Sequence, residues 1–386
     1  MKILVQPVKT KIASVQEGNI HDYDSILDYF NNQMAHQDLK KQYHSITFVT
    51  TGIEAYNGGQ TTMLHLGTLL AHAGYDVYYQ SYVPQSRVEL ENNAEFNYPG
   101  YQGTCLEMSE LKQHQSDIWV ATLWESAYII KNLLGYKLYF VQDYEPYFYP
   151  FGDRFQLAKK TYELGLHMIS LGPWCQKMIQ QNCQLYSPLE QINFPVDLDR
   201  YPHLHRNFSD YPHKKKLKLA VYTKFTSPRR APINVELILR NCEKILKQHG
   251  YQLEISYFGT EKEETFINGK NLGKLTPPQL VNLYHHSDFG IAPSMTNFSL
   301  VPFEMMSTGL PFIDFKEGTG RYFIPQNCCF ITHFDETELA HLLMQLSQDA
   351  VALQKVTTNA RQHLHSITWE RTFKDILNIL TNLPTS

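Results

Sequence analysis

The chain has 386 residues, a length that suits two domains of roughly 150–200 residues better than one core. Hydrophobic residues make up 43% and charged residues 19%, which leaves little room for long disorder. A formal net charge of −4 argues against a general nucleic-acid binder, whose affinity would rest on many phosphate-neutralising cations.

Residues 1–43 show no strong period beyond a candidate amphipathic helix over 23–34, and we read them as an extension packed on the first domain. Their polar start lacks the apolar core of a signal peptide, and no apolar run approaches the ~18 residues of a membrane span. The six cysteines have neither paired CxxC spacing nor the density of a disulfide scaffold, so a cytoplasmic protein with reduced thiols is expected. Next, SITFVTTGIEAYNGGQTTMLHLGTLLAHAGYDVYYQSY reads as strand, glycine loop, helix and strand, one βαβ unit. Strands over 118–122, 137–142 and 168–171, with helices between them, extend this into an open parallel sheet. A stretch poor in aliphatics, 197–216, marks a connection. A second strand–helix alternation starts at Leu217 and runs through LKLAVYT, LEISYFG and FGIAPS. The final segment places Trp369, Phe373, Ile376, Leu377 and Leu380 at helical spacing, a stripe that must be buried.

Three stretches carry chemistry. Gly58 and Gly59, between strand and helix, let a phosphate or sugar approach backbone N–H groups, although a tight turn needs glycine for its own reasons. They lack the third glycine of the dinucleotide fingerprint, which disfavours NAD. VYTKFTSPRRAP gathers Lys224, Arg229 and Arg230 after a strand, where open α/β sheets bind ligands, and three cations suit a diphosphate better than a solvated loop. In PSMTNFSLVPFEMM the loop 296–300 precedes a helix with Pro302 in its first turn and Glu304 just inside, an acceptor suited to ribose hydroxyls or simply favourable to its own helix terminus. Asp143-Tyr-Glu145 resembles the metal-binding DxD of single-Rossmann sugar transferases. With the phosphate features in the other lobe, we instead place Asp143 toward the donor sugar or an acceptor hydroxyl, and Tyr144, Glu145 and Tyr147 on the acceptor side. HExxH, GxSxG and GxxxxGK[ST] are all missing.

Read together, residues 46–383 resemble the two-lobed GT-B glycosyltransferases, in particular the retaining nucleotide-sugar family often called family 4. GGQTTMLHLGTLLAHAGYDV matches its first glycine loop, and NLGKLTPPQLVNLYHHSDFGIAPSMTNFSLVPFEMMSTGLPFI its donor-binding region. VQDYEPYFYPFGDRFQLAKKTYELG with VYTKFTSPRRAP is similar to the rhamnosyltransferases of bacterial surface glycans. The resemblance implies an α/β fold of two doubly wound Rossmann-like lobes facing across a cleft. Residues 1–205 would form the acceptor-side domain, with 370–386 crossing back onto it, and 206–369 the nucleotide-sugar domain.

By the same resemblance Gly58 and Gly59 approach the donor, and Lys224 with Arg229 or Arg230 binds the diphosphate. Gly273, Lys274 and Leu275 border the base, Ser299 and Leu300 give N–H donors to phosphate, and Glu304 binds the ribose. Thr296, next to Asn297, stands where the family usually carries a second Glu, a departure that fits a 6-deoxy donor sugar such as L-rhamnose from dTDP-L-rhamnose or a weakened enzyme. Lys224 stands for the usual Arg. No cofactor and no metal are expected; the partners are a nucleotide-sugar donor and a glycan, lipid-linked or glycoprotein acceptor. The basic run 213–218 is a candidate for peripheral membrane contact. A non-catalytic GT-B partner protein, an epimerase or a phosphorylase are the rival readings.

Overall fold

The computed structural model describes residues 20–24 and 26–386. The first lobe contains β1 (Ser45–Thr50), α1 (Gly58–His72), β2 (Asp76–Ser81), α2 (Arg87–Asn97), β3 (Thr104–Leu106), β4 (Ile118–Ala121), α3 (Trp124–Ile130), β5 (Tyr136–Val141), α4 (Asp153–Thr161), β6 (His167–Leu171), α5 (Pro173–Asn182) and β7 (Leu189–Ile192). The second contains β8 (Lys216–Tyr222), α6 (Pro232–Gln248), β9 (Gln252–Phe258), β10 (Lys270–Asn271), α7 (Pro277–His285), β11 (Phe289–Ile291), α8 (Val301–Ser307), β12 (Phe312–Phe315), β13 (Phe330–Thr332), α9 (Glu336–Leu346) and α10 (Ala350–Leu364). The last helix is α11 (Trp369–Thr381).

Central strands such as β5 (YKLYFV) are buried along their whole length, as expected where helices cover both faces of a parallel sheet. The seven-stranded sheet has the order β3-β2-β1-β4-β5-β6-β7 and the six-stranded sheet the order β10-β9-β8-β11-β12-β13. Strand order therefore reverses between β1 and β4 in one lobe and between β8 and β11 in the other. Ligands of such sheets sit outside the carboxyl ends of the strands at these reversals. The loops after β1, β5, β8 and β11, which carry the glycines, Asp143, the cations and Thr296–Leu300, are brought to this place by topology.

The chain crosses back to the first lobe at a bridge between Val196 and Thr368. There Trp369 stacks on His65 at 3.7 Å, and Ile376 and Leu380 cover Phe48, Val120 and Phe140. The Tyr43 hydroxyl donates to the Pro384 carbonyl (2.6 Å). Residues 1–19 and Ser25 of the extension lie outside the described residues. The helix expected over 23–34 does not form: short 3-10 turns at Ile20–Tyr23 and Leu27–Tyr29 give way to extended chain. Its apolar residues serve tertiary packing instead, with Phe30 against Trp124 and Tyr128.

Candidate active site

Asp143 follows β5 and is 5% exposed, yet all its partners but the neighbouring Tyr144 N–H belong to the other lobe. One carboxylate oxygen meets the Arg229 guanidinium and the Thr296 hydroxyl (3.0 Å); the other accepts the Asn297 N–H (3.0 Å) and the Tyr144 N–H (2.8 Å). The Asn297 side chain reaches back to donate to the carbonyls of Gln142 and Leu171, both at 2.7 Å. The loop after β11 is thus inserted against the ends of β5 and β6. Thr296 and Asn297, expected on the donor, here join the lobes.

The two arginines divide their work. Arg229 lies over the Phe148 ring at 4.1 Å and is partly exposed in the cleft. Arg230 is buried and donates to the Ser294 hydroxyl and the Asn297 carbonyl (3.2 Å), which makes it a support for the loop. The Arg229 carbonyl receives the Met295 N–H (2.8 Å), which ties the loops after β8 and β11 together.

Lys224 accepts no such commitment. Lys224 is exposed at the cleft; partial loss of water around it first, then Arg229, Lys274 and Arg230, lowers its proton affinity, while Glu54 of the first lobe opposes them. Lys274 pairs with Glu261 (2.6 Å) and lies 5.9 Å from the Tyr56 ring, across the cleft. Like charges held together are costly, and a bound polyanion would relieve that cost. Among the described residues two that are not glycine have left-handed backbone, Tyr56 (φ 62°) and Ala231 (φ 46°), and both flank this cleft; strain of this kind gathers at functional sites.

Around the cations stand neutral donors. The Ser299 hydroxyl is buried without a hydrogen-bond partner, and among the described residues nothing accepts the N–H of Ser299 or Leu300. Gly58 and Gly59 open α1, capped by Asn57, whose side chain accepts the Gln60 N–H (3.2 Å). A Cβ on Gly58 would meet nothing within 4 Å, so the space beside it is open. Gly273 (φ 77°) holds a left-handed turn ahead of Lys274 and Leu275, its N–H on the Asn271 side chain (2.8 Å).

Glu304 lies in α8 beside Tyr201, Tyr284 and Arg200. Burial raises its pKa to about 7 against the contrary effects of these three groups. The tyrosines have no local motif, so sequence reasoning misses them; only the fold shows that they bracket the carboxyl.

Two of the residues expected to line the acceptor side are interior. Tyr144 is 1% exposed and stacks on Tyr162 at 5.6 Å. Glu145, also 1% exposed, accepts the Trp124 N–H (2.6 Å), and burial with Glu125 nearby pushes its pKa far up. After β5 the chain turns so that Asp143 faces the second lobe and Glu145 the first-lobe core; they do not converge as a DxD pair. Tyr147 is exposed. Among the described residues no group of three or more His, Cys, Asp or Glu side chains is placed to hold a metal ion, and no helix is long and apolar enough to cross a membrane.

Comparison with known proteins bears on this arrangement. No family model matches the chain. It is 28% identical over 276 residues to an O-antigen biosynthesis protein, RfbC, of Myxococcus xanthus, covering 68% of this chain and 21% of that protein. The chain thus spans about a fifth of the length of the curated relative it matches. Among solved structures, Anabaena HepE bound to UDP-glucose superposes with a TM-score of 0.68 at 14% identity, over 88% of this chain and 100% of that one. Sucrose-phosphate synthase of Thermosynechococcus elongatus gives 0.65 at 14%, over 88% and 99%. WaaG, a glycosyltransferase of lipopolysaccharide biosynthesis, gives 0.63 at 15%, over 87% and 100%. With its two parallel sheets, the chain has the GT-B fold.

Proposed function

We propose that the chain is a glycosyltransferase that moves a sugar from a nucleoside diphosphate donor to a glycan acceptor in the biosynthesis of a bacterial surface polysaccharide or glycoprotein. The observation that carries this is the accumulation of Lys224, Arg229 and Lys274 at the strand-order reversal of the second lobe, opposite the glycine loop of the first. Such a cluster stabilises the charge that develops on a departing diphosphate. The Ser299 and Leu300 N–H groups add donors, and Glu304 takes the ribose hydroxyls. The relation to an O-antigen biosynthesis protein and the likeness to a fold seen with UDP-glucose support the reading.

In the proposed reaction the bond between the anomeric carbon and the phosphate oxygen breaks, and its electron pair leaves with the nucleoside diphosphate. The acceptor oxygen bonds to the anomeric carbon, and its proton passes to the departing phosphate, with retention. Donor phosphate competes with Asp143 for Arg229, and the carboxylate so released orients the acceptor hydroxyl. No cofactor or metal enters this scheme, and domain closure keeps water from the donor.

For the donor we propose dTDP-L-rhamnose. Thr296 stands where the family usually carries a carboxyl that contacts the sugar's hydroxyls, and its hydroxyl is already spent on Asp143, a departure that fits a 6-deoxy sugar.

Thermal stabilisation of the purified protein by dTDP, UDP and GDP, with dTDP-L-rhamnose, UDP-glucose and GDP-mannose, tests this by mass action. A selective rise with dTDP and its rhamnose supports the donor. A rise with UDP and UDP-glucose alone retains the transferase and rejects rhamnose. No rise with any of them overturns the diphosphate site and favours a non-catalytic partner protein.

A further inference from the structure

A second cationic site lies at the other end of α8 from Ser299. The segment that joins the lobes passes here, pinned to the helix end: the Ser307 hydroxyl donates to the Tyr201 carbonyl (2.6 Å) and the Leu204 N–H to the Thr308 carbonyl (3.2 Å). Between this segment and α10 is a surface cavity of about 130 Å³. A single water needs roughly 10–15 Å³ on this measure, so the space admits a tetrahedral oxyanion with part of its substituent.

Its lining is one-sided in charge. His203 and His205 come from the connecting segment, Arg361 from the last turn of α10, and Arg206 from below; none of the lining residues is acidic. Arg206 spends two nitrogens on the carbonyls of Ser287 (2.7 Å) and Tyr284 (2.5 Å), but its Nε is buried without a partner. Arg361 has no side-chain hydrogen bond or ion pair among the described residues. Burial, then Arg361, holds the proton affinity of His203 down, opposed by the Ser307 carbonyl; His205 and Arg206 add to the lowering. No carboxylate lines the cavity; Asp288, itself paired with Lys214, acts on Arg206 from outside the lining. Other cations of the second lobe and the first are paired, as Lys214 is with Asp288 (2.5 Å) and Arg87 with Glu110 (2.7 Å), although Lys224 in the donor cleft is not.

We propose that this cavity is a binding site for a phosphoryl group, distinct from the donor cleft, that ties the inter-lobe segment to α10. Two guanidinium groups match the charge of a phosphate dianion, and their forked donors suit its oxygens. Occupancy would fix residues 203–206, which are bonded to the end of the helix that carries Glu304, against α10 in the segment that joins the lobes. The group could arrive as inorganic phosphate or as a phosphate ester on a glycan.

The test is a titration of melting temperature with inorganic phosphate and, separately, glycerol 3-phosphate, at constant ionic strength. It uses full-length protein carrying Lys224→Gln and Arg229→Gln, so that the cleft does not contribute. A saturable rise is expected, and adding Arg361→Gln should weaken the apparent affinity by about tenfold, the loss of one charge-assisted hydrogen-bond pair. His205→Gln, at an exposed position, gives a second, milder reduction. Tighter binding of the ester would identify a phosphorylated glycan as the source, and equal or weaker binding free phosphate. An unchanged affinity after Arg361→Gln, or no saturable rise in the parent variant, would overturn the site.

Discussion

Arg229 and Arg230 are adjacent in sequence and opposite in exposure, which separates their expected phenotypes. Arg229→Ala removes a cation that faces the cleft, so turnover should fall by about 100-fold or more, with a loss of stability smaller than that of Arg230→Ala because Thr296 and Asn297 still donate to Asp143. Arg230→Ala leaves the Asn297 carbonyl and Ser294 unsupported in the interior, and should cost on the order of 2 kcal/mol in chemical denaturation. Equal loss of stability in the two variants would contradict the division. Glu304 offers a pH test. Its carboxyl pKa is raised to about 7, so the native state holds its proton more tightly than the unfolded chain. Stability from this group is fully present below the ordinary carboxylate range and is lost as pH rises toward 7. Glu304→Gln should therefore match wild type near pH 4 and exceed it at pH 8 by roughly 2 kcal/mol, while donor binding weakens. Urea melts at the two pH values decide it; a constant difference rejects the perturbed carboxyl. The charges themselves are legible in sequence, because each follows a β-branched run. That Asp143 is spent on Arg229, Thr296 and Asn297 is not, since contacts between residues 86 to 154 positions apart leave no local pattern.

At the scale of elements, the glycine loop and the loop after β11 are readable from composition, and their meeting follows from strand order. Edge strands are the least legible. β3 and β10 are three and two residues long, too short for an alternation to register. The N-terminal segment misleads for a related reason: its aromatics have helical spacing, but Tyr23 and Phe30 are half-buried and pack singly against α3. The opening of α1 can be probed directly. Gly58 sits at the first helical position with open space beside it, so Gly58→Ala should leave the melting temperature equal or slightly higher, by up to about 1 kcal/mol in stability. The added methyl group intrudes where the donor or acceptor must approach, and transfer should fall by about tenfold or more. Unimpaired transfer would show that the glycine serves the turn alone.

For the whole molecule, the lobes are joined by polar contacts centred on one carboxylate. Asp143→Asn keeps the shape and removes the charge that holds Arg229. The unliganded protein should then sample more open arrangements, seen as a larger radius of gyration by small-angle scattering, and donor binding should restore the closed value. An unchanged radius would mean that the apolar contacts of Phe194 from the first lobe with Phe303 and Phe323 of the second suffice. The second whole-molecule feature is the return of α11. Two sheets and two lobes are plain in the sequence, and so is the stripe that demands a partner; the identity of that partner comes only with the fold.

That return has a consequence for how the protein is made. Ile376 and Leu380 cover a surface assembled from β1, β4, β5 and α1, all of which leave the ribosome long before α11 does. At ordinary synthesis rates of about 5–20 residues per second, the stretch from β7 to α11 takes roughly 10–40 s to emerge. During that interval the second lobe can finish its own core, while the first waits with an apolar flank uncovered. The lobe translated first is thus the lobe completed last, and that flank is a natural landing place for a holdase on the nascent chain.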